Sequence, residues 1–130
     1  MRKLHLIVGL VGIAVFLGTG LYMFRGFPDL YGANESVRYM YRANHVYVLL
    51  SSLINVAFGI YLVPLQTGWK ARLGRIGSAL LILSPLLLCY AFFAEAPKAT
   101  PERVFTGLGV FALLLGVLAH LPSSGAKATA

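Results

Sequence analysis

Residues 76–94 read IGSALLILSPLLLCYAFFA, nineteen consecutive positions without a charged side chain. A helix rises about 1.5 Å per residue, so about 20 such residues cross the roughly 30 Å hydrocarbon core of a bilayer. Leu80-Leu81-Ile82-Leu83 lacks the alternation of a membrane β-strand, which leaves a spanning helix. Pro85 lies inside it and predicts a kink, with Ser84 bonding the freed backbone groups.

Three further uncharged stretches surround this one: Leu4–Phe24 (21 residues), Ala43–Trp69 (27) and Val104–Ala126 (23). The expected fold is therefore an all-α integral membrane protein. Four transmembrane helices form an up-down-up-down bundle, and residues 1–130 make a single domain. The spans fall at about 4–24, 44–66, 76–95 and 103–121, with an outer loop at 25–43 and a flexible tail at 122–130. Composition agrees. The chain is 58% hydrophobic and 12% charged, with a mean hydropathy of +0.79. A soluble domain is roughly a quarter charged, and disordered chains are poor in apolar residues, so both classes are excluded. One Cys rules out a disulfide framework and a Cys-based zinc site.

Local chemistry predicts the boundaries. Asn34-Glu35-Ser36 is a cap signal, and it extends the second span backwards as helix from about residue 36. Ala96-Pro97 ends the third helix. Thr100-Pro101-Glu102 reads as the start of the fourth: a hydroxyl cap, a first-position proline and an acid at the positive end of the helix dipole. Met1-Arg2-Lys3 before an apolar run looks like a signal peptide, but the run continues through Leu21-Tyr22-Met23-Phe24, so an uncleaved anchor is expected.

Four spans put both termini on one side of the membrane. That side carries Arg2, Lys3, Lys70, Arg72, Arg75 and Lys127 and no acid; the other carries Arg25, Arg38, Arg42, Lys98, Arg103 and all four acids. The compact clusters at Met1–Lys3 and Lys70–Arg75 sit close to helix ends, where the positive-inside rule acts most strongly. Both termini are expected in the cytoplasm, in a bacterial inner membrane. The net charge of +7 is then a topology signal. No basic stripe exists for nucleic acid.

Helices in lipid associate through small residues and interhelical hydrogen bonds. Gly9, Gly12, Thr19 and Gly20 form such a stripe on the first helix, and Gly109, Ala112 and Gly116 on the fourth. On the second, Asn44, Ser51, Asn55 and Gly59 mark a polar face opposite Val46, Leu50 and Leu53. Asn55 lies deep in the membrane and requires a partner. Gly9, Gly12, Asn55, Gly59, Gly109 and Gly116 are therefore the expected packing residues.

Two sets of residues have ligand chemistry. His5 and His120 continue the small-residue stripes at the same membrane end, and two facing imidazoles could ligate a b-type haem. Set against this is a plain interfacial role, so no cofactor is expected by default. Arg38, Tyr41, Arg42, Asn44 and His45 cluster at the outer start of the second helix. Arg38, Arg42 and His45 share a face able to hold a lipid headgroup, a quinone oxygen or another anion. No acid, Lys or Arg falls inside the four uncharged stretches, Glu95 and Arg103 standing only at span ends, which argues against ion-coupled transport, and no phosphate loop, His-Glu-x-x-His or Gly-x-Ser-x-Gly motif is present. No catalytic or metal residues are assigned.

Arg42-Ala43-Asn44-His45 resembles the Arg-Ala-x-x-Asn-x-x-Glu motif of the MAPEG family of glutathione-dependent membrane enzymes. The Asn here follows the Ala directly and no Glu follows it, so glutathione chemistry is not implied. The expected function is non-enzymatic: a small membrane protein acting through helix packing, as a homo-oligomer or an accessory subunit of a larger membrane complex. The alternative is a haem b-, quinone- or lipid-binding membrane protein using His5/His120 or the Arg38–Arg42–His45 face.

Overall fold

The computed structural model describes residues 1–30, 32–62, 68–98 and 102–123, except the side chains of 28–30 and 123. The elements are α1 (Arg2–Leu30), α2 (Glu35–Tyr61), α3 (Gly68–Ala94), α4 (Val104–His120) and single 3₁₀ turns at Ala96–Lys98 and Leu121–Ser123. No strand occurs among the described residues. α1, α2 and α3 are long and apolar enough to cross a membrane; α4 is apolar but has 17 residues, about 26 Å of helix.

Two predicted loops are largely helical. α1 continues past residue 24 to Leu30, so the expected outer loop at 25–43 contracts to the few residues before α2. The reason is apolar: Phe27 is buried with Val37, Tyr41, Phe92 and Ala96, which rewards continuing the helix to that point. α3 likewise begins at Gly68, so Lys70, Arg72 and Arg75 lie on its first turns instead of in a loop. Gly68 has φ +89, a backbone conformation that side chains with a Cβ rarely adopt. α2 starts as expected, with the Asn34 side chain accepting from the Val37 amide at 3.1 Å. It ends at Tyr61, and the rest of the predicted second span, 63–66, lies outside the described residues, as does the tail from 124 onwards.

The helix start expected at Thr100-Pro101-Glu102 is corrected. Thr100 and Pro101 are outside the described residues, and α4 begins at Val104 with Arg103 in the cap position but giving no side-chain capping bond. The cap comes from ten residues upstream. Glu95 accepts from the Phe105 amide at 2.6 Å and the Thr106 amide at 3.0 Å, placing its carboxylate on the positive end of α4.

α1 packs mainly on α2 and α3 on α4, and the two pairs join through α2 and α3. Among the described residues α1 and α4 share no contact, so the bundle is open along that side. The small-residue stripes are used inside the chain. A Cβ on Gly9 would lie 2.6 Å from Val56 and 2.8 Å from the Ser52 carbonyl, one on Gly12 would collide with the Ser52 hydroxyl, and one on Gly59 would lie 2.7 Å from the Leu6 amide nitrogen. Gly109 abuts Leu88, and Gly116 abuts Leu81 and the Gly77 carbonyl. The outward faces of α1, α2 and α4 carry large apolar side chains such as Leu17, Leu50 and Phe111.

Gly59→Ala pushes a methyl into the α1 backbone and should lower stability by about 1–3 kcal/mol, the usual range for overpacking. Gly18 has nothing within 4 Å of the equivalent position, so Gly18→Ala should be neutral or gain up to about 1 kcal/mol of helix propensity. Thermal unfolding of both variants in mild detergent measures the contrast.

Candidate functional site

Two groups of buried polar side chains stand out, one toward each end of the bundle. The first, at the end holding the N-terminus, centres on Asn55. Pro85 has no amide hydrogen, so the Leu81 carbonyl one turn earlier loses its helical donor. Asn55 Nδ2 supplies one, at 2.7 Å, and also donates to the Ser51 carbonyl at 2.9 Å. Ser84, expected to serve the freed backbone, instead donates across the helix pair to the Gly109 carbonyl at 2.8 Å.

With both amide hydrogens used, Asn55 Oδ1 can only accept. Its contact at 2.8 Å with His5 Nδ1 therefore fixes His5 as the Nδ1–H tautomer, donating to Asn55. His5 is fully buried, and its Nε2 is a bare acceptor with no hydrogen-bond partner. One amide thus ties α1, α2 and α3 together. His120 approaches from α4, with Nε2 3.2 Å from the Ser78 hydroxyl. The Phe58 ring contacts both imidazoles, at centroid distances of 5.8 Å to His5 and 4.7 Å to His120. A haem held between the two histidines would have to displace Phe58 and take His120 Nε2 from Ser78. Arg2 closes this end of α2, donating to the Ile60 carbonyl at 2.7 Å and the Gly59 carbonyl at 3.4 Å.

The five residues predicted at the start of α2 do not form one site. Arg42 is exposed. Tyr41 is buried among Phe27, Tyr22 and Phe92. Arg38 is half-buried, with its guanidinium 6.0 Å from the Phe27 ring and its Nε unpartnered. His45 faces α1, stacked on Phe16 with centroids 4.0 Å apart and with Nδ1 3.0 Å from the Thr19 hydroxyl.

Asn44 alone of the five enters a polar cluster, with Arg103, Thr106 and Glu95. Arg103 Nη2 donates to Asn44 Oδ1 at 2.6 Å. The Thr106 hydroxyl lies 3.0 Å from Asn44 Oδ1 and 2.7 Å from Glu95 Oε2, so its single hydrogen serves two acceptors. Glu95 is buried at 8% exposure and Asn44 at 0%. An ionisable pair thus stands inside the protein at the end of the bundle, joined through Thr106. The missed signal was Glu95 itself, an acid directly before Ala96-Pro97 and within reach of the next helix start.

Among the described residues no group of three or more His, Cys, Asp or Glu side chains could hold a metal ion. Cys89 is free and half-buried in α3. No known protein family, curated protein or solved structure matches the chain.

Asn55→Leu leaves the Leu81 carbonyl and the His5 Nδ1–H without partners and should cost about 2–5 kcal/mol. Pro85→Ala returns an amide hydrogen to the Leu81 carbonyl. In a double-mutant cycle, the Asn55→Leu penalty should shrink by about 1–2 kcal/mol when Pro85 is Ala. Additive penalties would separate the two residues energetically.

Proposed function

We propose that the chain is a small integral membrane protein of four spans that works by association within the bilayer, as a homo-oligomer or as an accessory subunit of a larger complex. Chemistry on a substrate is not part of this reading. The observation that carries it is the open side of the bundle. Among the described residues α1 and α4 share no contact, and α4 is held mainly by α3, with α2 reaching it through Asn44 and Phe58. Leu108, Phe111, Leu114, Leu115 and Leu118 therefore remain between 46% and 64% exposed along α4. At about 26 Å, α4 is also shorter than the roughly 30 Å core it must cross, and short spans are accommodated by oligomerising or by thinning the bilayer.

The glycine stripes no longer support this reading, because Gly9, Gly12, Gly109 and Gly116 are already packed within the chain. Association falls to the outer face of α4 instead. The orientation is the one with both termini in the cytoplasm of a bacterial inner membrane. It rests on the acid-free end that holds Arg2, Lys70, Arg72 and Arg75. Arg2 in addition bonds the carbonyl end of α2, where a cation is favoured.

In a Cys89→Ser background, Phe111→Cys in native membranes should give an oxidised crosslink, either a dimer of this chain or one larger adduct. Leu17→Cys on α1, exposed at 64%, serves as the comparison. Absence of any crosslink at Phe111, with a clean monomer in mild detergent, would contradict the proposal.

A further inference from the structure

The Asn44–Arg103–Thr106–Glu95 cluster is saturated on one side of its hydrogen bonding and incomplete on the other. Every acceptor has a donor. Glu95 Oε1 takes the Phe105 amide, Glu95 Oε2 takes the Thr106 amide and hydroxyl, and Asn44 Oδ1 takes Arg103 Nη2. The donors are not exhausted. Asn44 Nδ2, on a side chain with 0% exposure, and Arg103 Nε are both buried without a hydrogen-bond partner. The Asn44 amide cannot be turned to relieve this, because Arg103, a pure donor, holds its oxygen at 2.6 Å. Buried N–H groups of this kind are as a rule paired.

We infer that Asn44 Nδ2 and Arg103 Nε form a binding site for a carbonyl oxygen of a membrane-soluble amphiphile. The chemistry follows from what is unused. Only hydrogen-bond donors are available, so the ligand atom is an acceptor. Glu95 and Arg103 already offset each other's charge across Thr106, which favours a neutral oxygen over an anion. The guanidinium is a planar fork whose donors are rigidly placed; with Nη2 spent on Asn44, Nε is left beside it for one further oxygen. Arg103 is only half-buried, so the cluster lies one side chain from the surface, at the end of four apolar helices. Two abundant amphiphiles carry such an oxygen: a quinone ring and the acyl ester of a phospholipid. The site is distinct from the association face on α4 and does not depend on it.

Asn44→Asp tests this directly. It keeps an oxygen for Arg103 and Thr106 and replaces the Nδ2 donor with a second carboxylate oxygen, a charged acceptor that cannot bond a ligand carbonyl. Arg103→Lys removes Nε while keeping the charge, and it decides the matter should Asn44→Asp fail to fold. The full-length protein in detergent would be titrated with decylubiquinone in one arm and dioleoylphosphatidylglycerol in the other, with native mass spectrometry reading the retained ligand. Binding of either that weakens by about tenfold or more in both folded variants, as loss of one buried hydrogen bond to a ligand would do, supports the site and names its source. Retention of neither, or equal retention by wild type and Asn44→Asp, overturns it and leaves the two donors to internal water only.

Discussion

A buried backbone carbonyl must have a donor, and Pro85 takes one away from Leu81. The rest of the structure can be read from how that deficit is met. Asn55 reaches from α2 to the Leu81 carbonyl, and this draws α3 against the polar face of α2. Its second hydrogen returns to its own helix at Ser51, which leaves its oxygen as an acceptor and so sets the tautomer of His5 on α1. Three helices meet at one carboxamide. Around it the close approaches of Gly59 to Leu6 and of Gly77 to Gly116 hold the helices near enough for such short bonds. The helices are apolar on their outward faces as well as between one another, so polar and small residues carry the pairing specificity.

The far end uses the same logic with a charge. α4 begins without a side-chain cap of its own, and Glu95 provides one across the turn from α3. The same carboxylate receives the Thr106 hydroxyl, which also reaches Asn44, and Arg103 completes the link to α2. α4 touches α2 little elsewhere, so this cluster and the Ser78–His120 and Ser84–Gly109 bonds to α3 locate it. The two ends differ in what they leave over: a bare imidazole acceptor at His5 and unpaired donors at Asn44 and Arg103.

The helical class and the four apolar segments were legible in the sequence because uncharged length is a direct reading of what a bilayer requires. Asn34 as a cap and Asn55 as a residue in need of a partner were legible for similarly local reasons. The extension of α1 to Leu30 was not, because it depends on Phe27 joining a buried cluster with Phe92 and Ala96, residues more than sixty positions away. Nor was the Glu95 cap, in which a charge that counts as a span boundary in sequence turns inward in space. The outer cluster of Arg38, Tyr41, Arg42, Asn44 and His45 shows the limit most clearly. Helical spacing put these residues on neighbouring faces, but which neighbour each face meets is decided by α1, α3 and α4, and they divide the five between them.

The central claim is that the Asn55 carboxamide acts as a two-way donor to backbone and a single acceptor from His5. Nitrogen-15 NMR of histidine-labelled protein reports it most directly. The account predicts a neutral His5 ring with hydrogen on Nδ1 and none on Nε2, a state that is lost or mixed in Asn55→Leu. A His5 ring carrying its hydrogen on Nε2, or one unchanged by removing Asn55, would contradict it.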